Sequence, residues 1–144
     1  MCVVSWRPVA WLAGARRRGV RVRLLLPEVS DIRTVQLAQE AFYDDYLAAG
    51  IEVYLLRNAV LHSKTAIVDR AFVTSGSYNL DERSRVKNFE LNLAVECPAF
   101  AAHVTEVFER DLEGAVRLTR GSWQNRGVVR RGAQAFAHLL RRLL

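Results

Sequence analysis

Residues 61–79, which read LHSKTAIVDRAFVTSGSYN, constrain the fold of this 144-residue chain more than any other segment. They place polar side chains in the spacing His-x-Lys-x4-Asp-x6-Gly-Ser-x-Asn. Val60–Val68 is rich in apolar and β-branched residues and predicts a strand, and Ala71–Thr74 predicts a second strand after a short turn. We therefore expect a β-hairpin that brings the two ends of this polar pattern together.

The polar side chains of this hairpin suit a phosphate ligand. His62 and Lys64 are two residues apart, so a strand directs both side chains to the same side. Histidine attacks phosphorus or carries a proton, and lysine supplies positive charge. Ser75-Gly76-Ser77 predicts a break in the second strand at which the backbone approaches a ligand closely. Ser77 and Asn79 then supply neutral hydrogen-bond donors near the same place.

This spacing resembles the HKD motif of the phospholipase D superfamily. Flanking segments extend the resemblance to the C-terminal half of bacterial cardiolipin synthases, and the matching segments are Arg16–Pro27, Leu61–Asp69, Gly76–Ser84, Asn88–Asn92 and Phe108–Leu112. Enzymes of this type carry two HKD motifs, whereas this chain has one. The resemblance therefore implies half of a two-lobed enzyme, or a half that pairs with a second copy of itself.

The resemblance also implies a mechanism, namely phosphodiester exchange through a phosphohistidine, with a second histidine contributed by another lobe. His62, Lys64 and Asp69 are the implied catalytic residues, and the sequence leaves open which of the two histidine roles His62 takes. Ser77 and Asn79 are the implied phosphate-binding residues. Because Lys64 supplies the positive charge at the nonbridging oxygens, we expect no metal ion and no other cofactor.

Two further residues are expected to support the site. Gly76 allows the close backbone approach described above. Asn88–Glu96 alternates in polarity and predicts a strand, which places Glu90 on its polar side. We interpret Glu90 either as a carboxylate near the site or as a solvent-facing strand residue.

The rest of the pattern predicts an α/β fold in which helices sandwich a mixed β-sheet, with an active site completed by a second lobe or subunit. The other predicted elements are helix Val9–Arg18, strand Val20–Leu26, helix Asp31–Ala49, strand Ile51–Leu56 and helix Pro98–Leu112. Gly19 and Gly50 are expected to end the first two helices. Residues 1–125 are expected to form the catalytic half domain.

Residues 126–144 are expected to form a separate basic tail. Arginines there surround a set of apolar residues, which is typical of a basic amphipathic helix. Such a helix lies either on an anionic membrane surface or against the protein or a missing lobe. The net charge of +6 favours anionic partners. We expect an anionic phospholipid substrate and peripheral membrane contact, and we consider nucleic acid less favoured because no aromatic and basic stacking surface is evident.

Cysteine usage and hydropathy indicate the compartment. Cys2 and Cys97 make neither a disulfide framework nor a metal cluster, and Cys97 is expected to be a buried thiol. No apolar run reaches the roughly 18 residues of a membrane span. Arg7 interrupts the apolar start, and the basic run follows it, which is the wrong order for a secretory signal. We therefore expect a cytoplasmic protein at the inner face of the cell membrane.

Three functional hypotheses follow. The leading one, implied by the resemblance, is phosphatidyl transfer between two phosphatidylglycerol molecules. The second is a metal-independent nuclease that builds its site across a homodimer from one motif. The third is a half that is inactive without another chain. His103 and His138 lack partners at useful spacing, and we interpret both as structural.

Overall fold

The computed structural model describes residues 6–30, 33–57, 61–79, 84, 87–125, 127 and 132. The helices are α1 (Trp6–Arg17), α2 (Arg33–Glu40), α3 (Tyr43–Ala48), α4 (Pro98–Glu113) and α5 (Arg120–Gln124). The strands are β1 (Arg23–Pro27), β2 (Glu52–Leu56), β3 (Thr65–Val68), β4 (Phe72–Gly76), β5 (Asn92–Glu96) and β6 (Ala115–Leu118).

These strands form two three-stranded sheets. In the first sheet, β2 is central, parallel to β1 and antiparallel to β6. In the second sheet, β4 is central and antiparallel to both β3 and β5. Helix α4 lies against strands of both sheets. The predicted α/β fold with helices flanking the strands is confirmed, and the strands are divided between a mixed sheet and an antiparallel one.

The hydrophobic core lies beside the first sheet. Phe42, Tyr46 and Val53 are almost completely buried, with exposed fractions of 1%, 0% and 0%. Trp123 of α5 packs on Tyr43 of α3 with ring centroids 5.1 Å apart and an interplanar angle of 51°. This tilted aromatic pair joins α5 to α3, and such pairs add to the energy gained from area burial.

The predicted helix Asp31–Ala49 is two helices in the described residues. The backbone N–H of Phe42 donates to Gln39 O, a step of three residues instead of four, and this tightens the chain between α2 and α3. The turn lets the consecutive residues Phe42 and Tyr43 both reach the core, where they are 1% and 3% exposed. A straight helix would rotate one of them about 100° away from the other.

Both predicted helix-ending glycines have a positive φ, 89° at Gly19 and 76° at Gly50, which confirms that each turns the chain out of a helix. Strand β1 starts at Arg23, three residues later than predicted, and ends at Pro27. Helix α4 matches the prediction within one residue at its C-terminus. The sequence interpretation missed β6 and α5.

Cys97 is half-buried and unpaired, where a buried thiol was expected. The predicted amphipathic tail, residues 126–144, lies outside the described residues apart from Gly127 and Gly132. In the described part of the chain, no helix combines the length and the apolar character needed to cross a membrane.

Candidate active site

The hairpin of β3 and β4 positions the polar residues at its open end. Strand β3 begins at Thr65, so His62 and Lys64 precede the strand instead of lying within it, as the sequence had suggested. The backbone hydrogen bonds between the two arms of the hairpin still extend to Lys64, because Gly76 N–H donates to Lys64 O at 3.2 Å. Strand β4 continues through Gly76, where a break had been predicted at Ser75.

The structure brings His62 and Lys64 into direct contact. Lys64 Nζ lies 2.8 Å from His62 Nε2 and donates to His62 O at 2.8 Å. An ammonium group only donates hydrogen bonds, so this contact requires an unprotonated Nε2 and leaves the ring proton on Nδ1. His62 is exposed and Lys64 is half-buried. The result is an unprotonated ring nitrogen whose electron pair accepts a hydrogen bond from a fixed ammonium group, at a place open to solvent.

A carboxylate lies next to this pair. Ser77 Oγ donates to Glu90 Oε2 at 2.5 Å, and Asn88 Nδ2 donates to Glu90 Oε1 at 3.2 Å. Hydrogen bonds from Ser77 and then Ser84, with a smaller contribution from the charge of Lys64, lower the pKa of Glu90 below its usual value. Glu90 is therefore ionised at neutral pH, and it precedes β5, which begins at Asn92 and not at Asn88 as predicted.

Ser77 is already engaged in this arrangement. Its hydroxyl donates to Glu90 and accepts from Leu91 N–H at 3.0 Å. A hydroxyl has one proton, so Ser77 donates to a phosphate only after it leaves Glu90.

Gly76 lies where two strands come closest. It pairs with Asn92 of β5, and a Cβ at Gly76 would overlap Asn92 and the carbonyl oxygen of Leu91. Asn92 Oδ1 also accepts from Tyr78 N–H at 3.2 Å, which fixes the chain just after β4. The need for glycine here comes from this close approach, since its φ is not positive.

Asp69 does not join the other residues of its motif. It lies in the turn between β3 and β4, at the far end of β3 from Lys64, which is about 16 Å at the rise of an extended strand. That separation prevents a hydrogen bond between Asp69 and His62 of the same chain.

Asn79 is held in place by a hydrogen bond from its backbone, while its side chain is not bonded to the other described site residues. Its N–H donates to Ser84 Oγ at 3.2 Å. Among the described residues, its buried Oδ1 has no hydrogen-bond partner, and its side chain makes no hydrogen bond to His62 or Lys64.

The sequence interpretation missed Ser84, Asn88 and Asn92 as supporting residues. Each contacts Glu90 or the backbone beside Gly76 through hydrogen bonds that cross from one segment to another. The alternation of residues 88–96 was visible, but the register that pairs Asn92 with Gly76 was not. Within the described ranges, no group of three or more His, Cys, Asp or Glu residues could hold a metal ion.

Comparison with known proteins gives a consistent result. Residues 3–112 match the family described as cardiolipin synthase, PLD-like domain. The chain is 36% identical over 132 residues to cardiolipin synthase A of Cronobacter sakazakii, a match that covers 88% of this chain and 27% of that protein. It is 32% identical over 128 residues to the probable cardiolipin synthase YwiE of Bacillus subtilis, covering 89% and 26%. The chain therefore spans about a quarter of the length of these relatives.

A solved structure supports the fold. The crystal structure of a phospholipase D family member, Nuc from Salmonella typhimurium, superposes with a TM-score of 0.72 at 22% identity, covering 82% of this chain and 77% of that one. With the family match over residues 3–112 and the contact between His62 and Lys64, the conclusion is that this chain belongs to the cardiolipin synthase family of phospholipase D-like domains.

Proposed function

We propose that this chain is one lobe of a phospholipase D-type enzyme that transfers a phosphatidyl group between two phosphatidylglycerol molecules. The observation that carries this proposal is the 2.8 Å contact between Lys64 Nζ and His62 Nε2. A nucleophilic ring nitrogen beside a fixed ammonium suits attack on a phosphodiester, whose nonbridging oxygens are negative. The similarity to cardiolipin synthases supports the choice of lipid substrate.

The reaction proceeds in two displacements. In the first, Lys64 moves its hydrogen bond from His62 Nε2 to a nonbridging oxygen, Nε2 attacks phosphorus, an N–P bond forms, and the P–O bond to the glycerol head group breaks. A second imidazole gives its proton to the leaving glycerol oxygen. In the second, that imidazole takes the proton of a hydroxyl on another phosphatidylglycerol, whose oxygen attacks phosphorus and releases His62. The products are cardiolipin and glycerol, whereas attack by water gives phosphatidic acid.

The Lys64 contact supports the nucleophilic role for His62, because an ammonium group only donates hydrogen bonds and the contact therefore directs it at the electron pair of Nε2. Lys64 also neutralises the nonbridging oxygens of the bound phosphate. Glu90 holds Ser77 at the site until a phosphate competes for its hydroxyl. Asn79 adds an amide to the phosphate site. Asp69, at its distance from His62, acts on a histidine that a second lobe supplies.

The second imidazole comes from another lobe, either a second copy of this chain or a further part of a longer protein. The segment beside the site supports this arrangement. Phe89, Leu91 and Leu93 alternate with the polar residues of the site and are 106%, 82% and 68% exposed. In the described structure, β5 is an edge strand that pairs with β4 alone. Leu93 is on β5 and the other two immediately precede it, and exposed apolar side chains along a free sheet edge are typical of an interface.

We place the enzyme at the inner face of the cell membrane as a peripheral protein. A lipid substrate requires contact with a bilayer, and the predicted basic tail, residues 126–144, adds attraction to anionic lipids.

The test of the reaction is incubation of the purified chain with phosphatidylglycerol vesicles, followed by measurement of cardiolipin, phosphatidic acid and released glycerol. His62→Ala is expected to lower the rate by at least about 10³-fold, because it removes the nucleophile. His103→Ala is the matched control, since His103 is exposed on α4 and away from the site, and it is expected to keep the activity.

A folded, dimeric protein that forms neither lipid product would contradict the proposal. Metal-independent cleavage of DNA in the presence of a chelator, lost in His62→Ala, would assign the site to nucleic acid instead.

The second lobe is tested by sedimentation equilibrium. If two copies associate through β5, Leu91→Asp with Leu93→Asp is expected to raise the dimer dissociation constant at least about 100-fold. Val29→Asp is the control, because Val29 is 68% exposed on the loop after β1. A wild-type chain that stays monomeric and inactive would instead support a partner on another polypeptide.

A further inference from the structure

The positive charge of this chain is unevenly distributed. Residues 1–27 contain six arginines and no carboxylate, while residues 28–144 contain 15 basic and 15 acidic side chains. The whole net charge of +6 therefore belongs to the first 27 residues. Of these, the described part comprises α1, the turn after it and β1.

Helix α1 has one buried face and one exposed face. Val9 is 9% exposed and belongs to the hydrophobic core, with Leu12 packed against that core. Trp11 is 63% exposed. Trp11, Gly14 and Arg18 follow the i, i+3, i+7 spacing that brings helix residues onto one side.

The arginine side chains at the end of α1 lie back over this exposed side. Arg18 Nη1 is 3.6 Å, and Arg17 Nη2 is 3.7 Å, from the position that a Cβ on Gly14 would occupy. This is the expected direction for helix side chains, which lean toward the N-terminus. The absence of a side chain at Gly14 lets both guanidinium groups lie close to the helix. We call the surface made by Trp11, Gly14, Arg17 and Arg18 the α1 basic face.

The arginines of this face differ from other arginines of the protein in whether they form salt bridges with carboxylates. Arg21 and Arg117 approach Glu52, Arg23 contacts Glu109, and Arg57 contacts Glu28, all within 4.0 Å. Among the described residues, neither Arg17 nor Arg18 forms a salt bridge. Their charge is therefore available to an outside anion.

We propose that the α1 basic face docks on the surface of an anionic phospholipid bilayer. Tryptophan prefers the boundary between head groups and acyl chains, and arginines bind lipid phosphates beside it. Val20, 45% exposed just beyond the helix, adds a second apolar contact. An exposed tryptophan beside two arginines on a helix surface suits a membrane better than nucleic acid, which calls for a series of stacking rings along a groove.

The choice of a phospholipid surface rests on the proposed function. Docking is nevertheless measured as binding to vesicles, which does not require enzymatic activity. The experiment is flotation of the purified chain with phosphatidylcholine vesicles, with and without phosphatidylglycerol. We expect binding only when phosphatidylglycerol is present, and a decrease in binding as salt is raised.

Two variants test the face directly. Arg17→Gln with Arg18→Gln is expected to weaken binding about 30-fold, from the usual contribution of an arginine near an anionic surface. Its control is Arg57→Gln with Arg110→Gln, which changes the net charge equally on other parts of the surface and is expected to change binding less than about threefold. Trp11→Ala is expected to weaken binding about tenfold, and Phe100→Ala, at an aromatic residue 44% exposed on α4, serves as its control.

Equal binding by the wild-type chain and the double arginine variant would overturn the proposal, as would an equal loss in the control pair. Binding to a short DNA duplex that depends on Arg17 and Arg18, without vesicle binding, would also overturn it. Vesicle binding by a dimeric chain that forms no lipid product would contradict the proposed function and leave the docking face in place. Activity on detergent-dispersed phosphatidylglycerol is expected to be unchanged in these variants, because none of their residues lies at the active site.

Discussion

The two sheets of this molecule differ in how well they are covered. The central strand of the first sheet contains Val53, which is completely buried, and the core residues Phe42 and Tyr46 pack beside it. In the second sheet Val73 is buried, but Leu93 and Val68 at its edges are 68% and 50% exposed. The candidate site residues His62 and Lys64 lie at the open end of the second sheet. The buried core and the candidate site are thus in different parts of the molecule, and the sheet beside the site is the more exposed one.

The sheets are joined by α4 and by one arginine. Arg23 of β1 donates to both carboxylate oxygens of Glu109 on α4, at 2.7 and 2.6 Å, and its guanidinium lies 5.1 Å from the ring centroid of Phe108. Helix α4 also packs on β3 and β4. The first sheet therefore positions the second through α4, while the site itself remains open to a partner.

The largest effect is expected in the core of the first sheet. Phe42→Ala should lower the free energy of unfolding by about 3–5 kcal/mol, because it leaves a cavity where the side chain was fully buried. Chemical denaturation followed by circular dichroism measures this change. Phe100→Ala, at a residue 44% exposed, should cost less than about 1 kcal/mol. Similar losses in the two variants would break the proposed division of stability.

The next effect is expected at the closest approach in the second sheet. Gly76→Ala places a methyl group against Asn92 and Leu91 O, so it should destabilise this sheet by about 2–3 kcal/mol and lower activity. Hydrogen exchange should show faster exchange in β4 and β5 than in the wild type, with β1 and β2 unchanged. Gly121→Ala is the control, since nothing lies near its Cβ position. Uniform loss of protection across both sheets would mean that they do not behave separately.

The third effect is the dependence of stability on pH in the acid range. A hydrogen bond from Arg21 is the main cause that lowers the pKa of Glu52 to about 2 from its ordinary value of 4.5. The ionised carboxylate therefore stabilises the first sheet above pH 4.5, and this contribution disappears as pH falls toward 2. Glu52→Gln should cost about 1–2 kcal/mol at neutral pH, reduced by the exposure of Arg21, and should flatten the acid dependence. An unchanged dependence of stability on pH between these values would contradict this role.

The smallest effect is a gain in the second sheet. Asp69 and Arg70 occupy the centre of the Val68–Ala71 turn with φ of 51° and 53°, a conformation in which glycine is favoured at the second position. Arg70→Gly should stabilise the protein by about 1 kcal/mol, measured as a higher melting temperature. Arg110→Gly, in the interior of α4, should do the opposite. A loss in Arg70→Gly would show that contacts of Arg70 outweigh the strain.

The sequence predicted the local elements better than their arrangement. The hairpin, the position of α4 and the two glycine turns follow from turn chemistry and periodicity, which act over a few residues. The break between α2 and α3 depends on burying Phe42 and Tyr43 together, which only the packed core decides. β6 is four residues long and lies next to β2 through pairing distant in sequence, so no local signal marked it.

The same distinction holds for the site. His62 and Lys64 were predicted to lie on the same side of a strand; they do lie together, but before β3 begins, through two hydrogen bonds from Lys64 to His62. The hydrogen bond from Ser77 to Glu90 joins residues 13 positions apart. Its existence depends on the β4–β5 register, which the alternation of residues 88–96 leaves undefined. The distance of Asp69 from His62 follows from their positions beyond opposite ends of β3.

One further consequence concerns residues 77–91, which leave β4 and return to β5. Gly76 pairs with Asn92, and Ser77 N–H donates to Leu91 O at 3.0 Å, so backbone pairing holds the two ends of this segment together. This segment also carries Ser77, Asn79 and Glu90, whereas His62 and Lys64 lie outside it. Under the proposed function, changes within the segment would therefore alter the phosphate site and the choice of acceptor alcohol without removing the nucleophile.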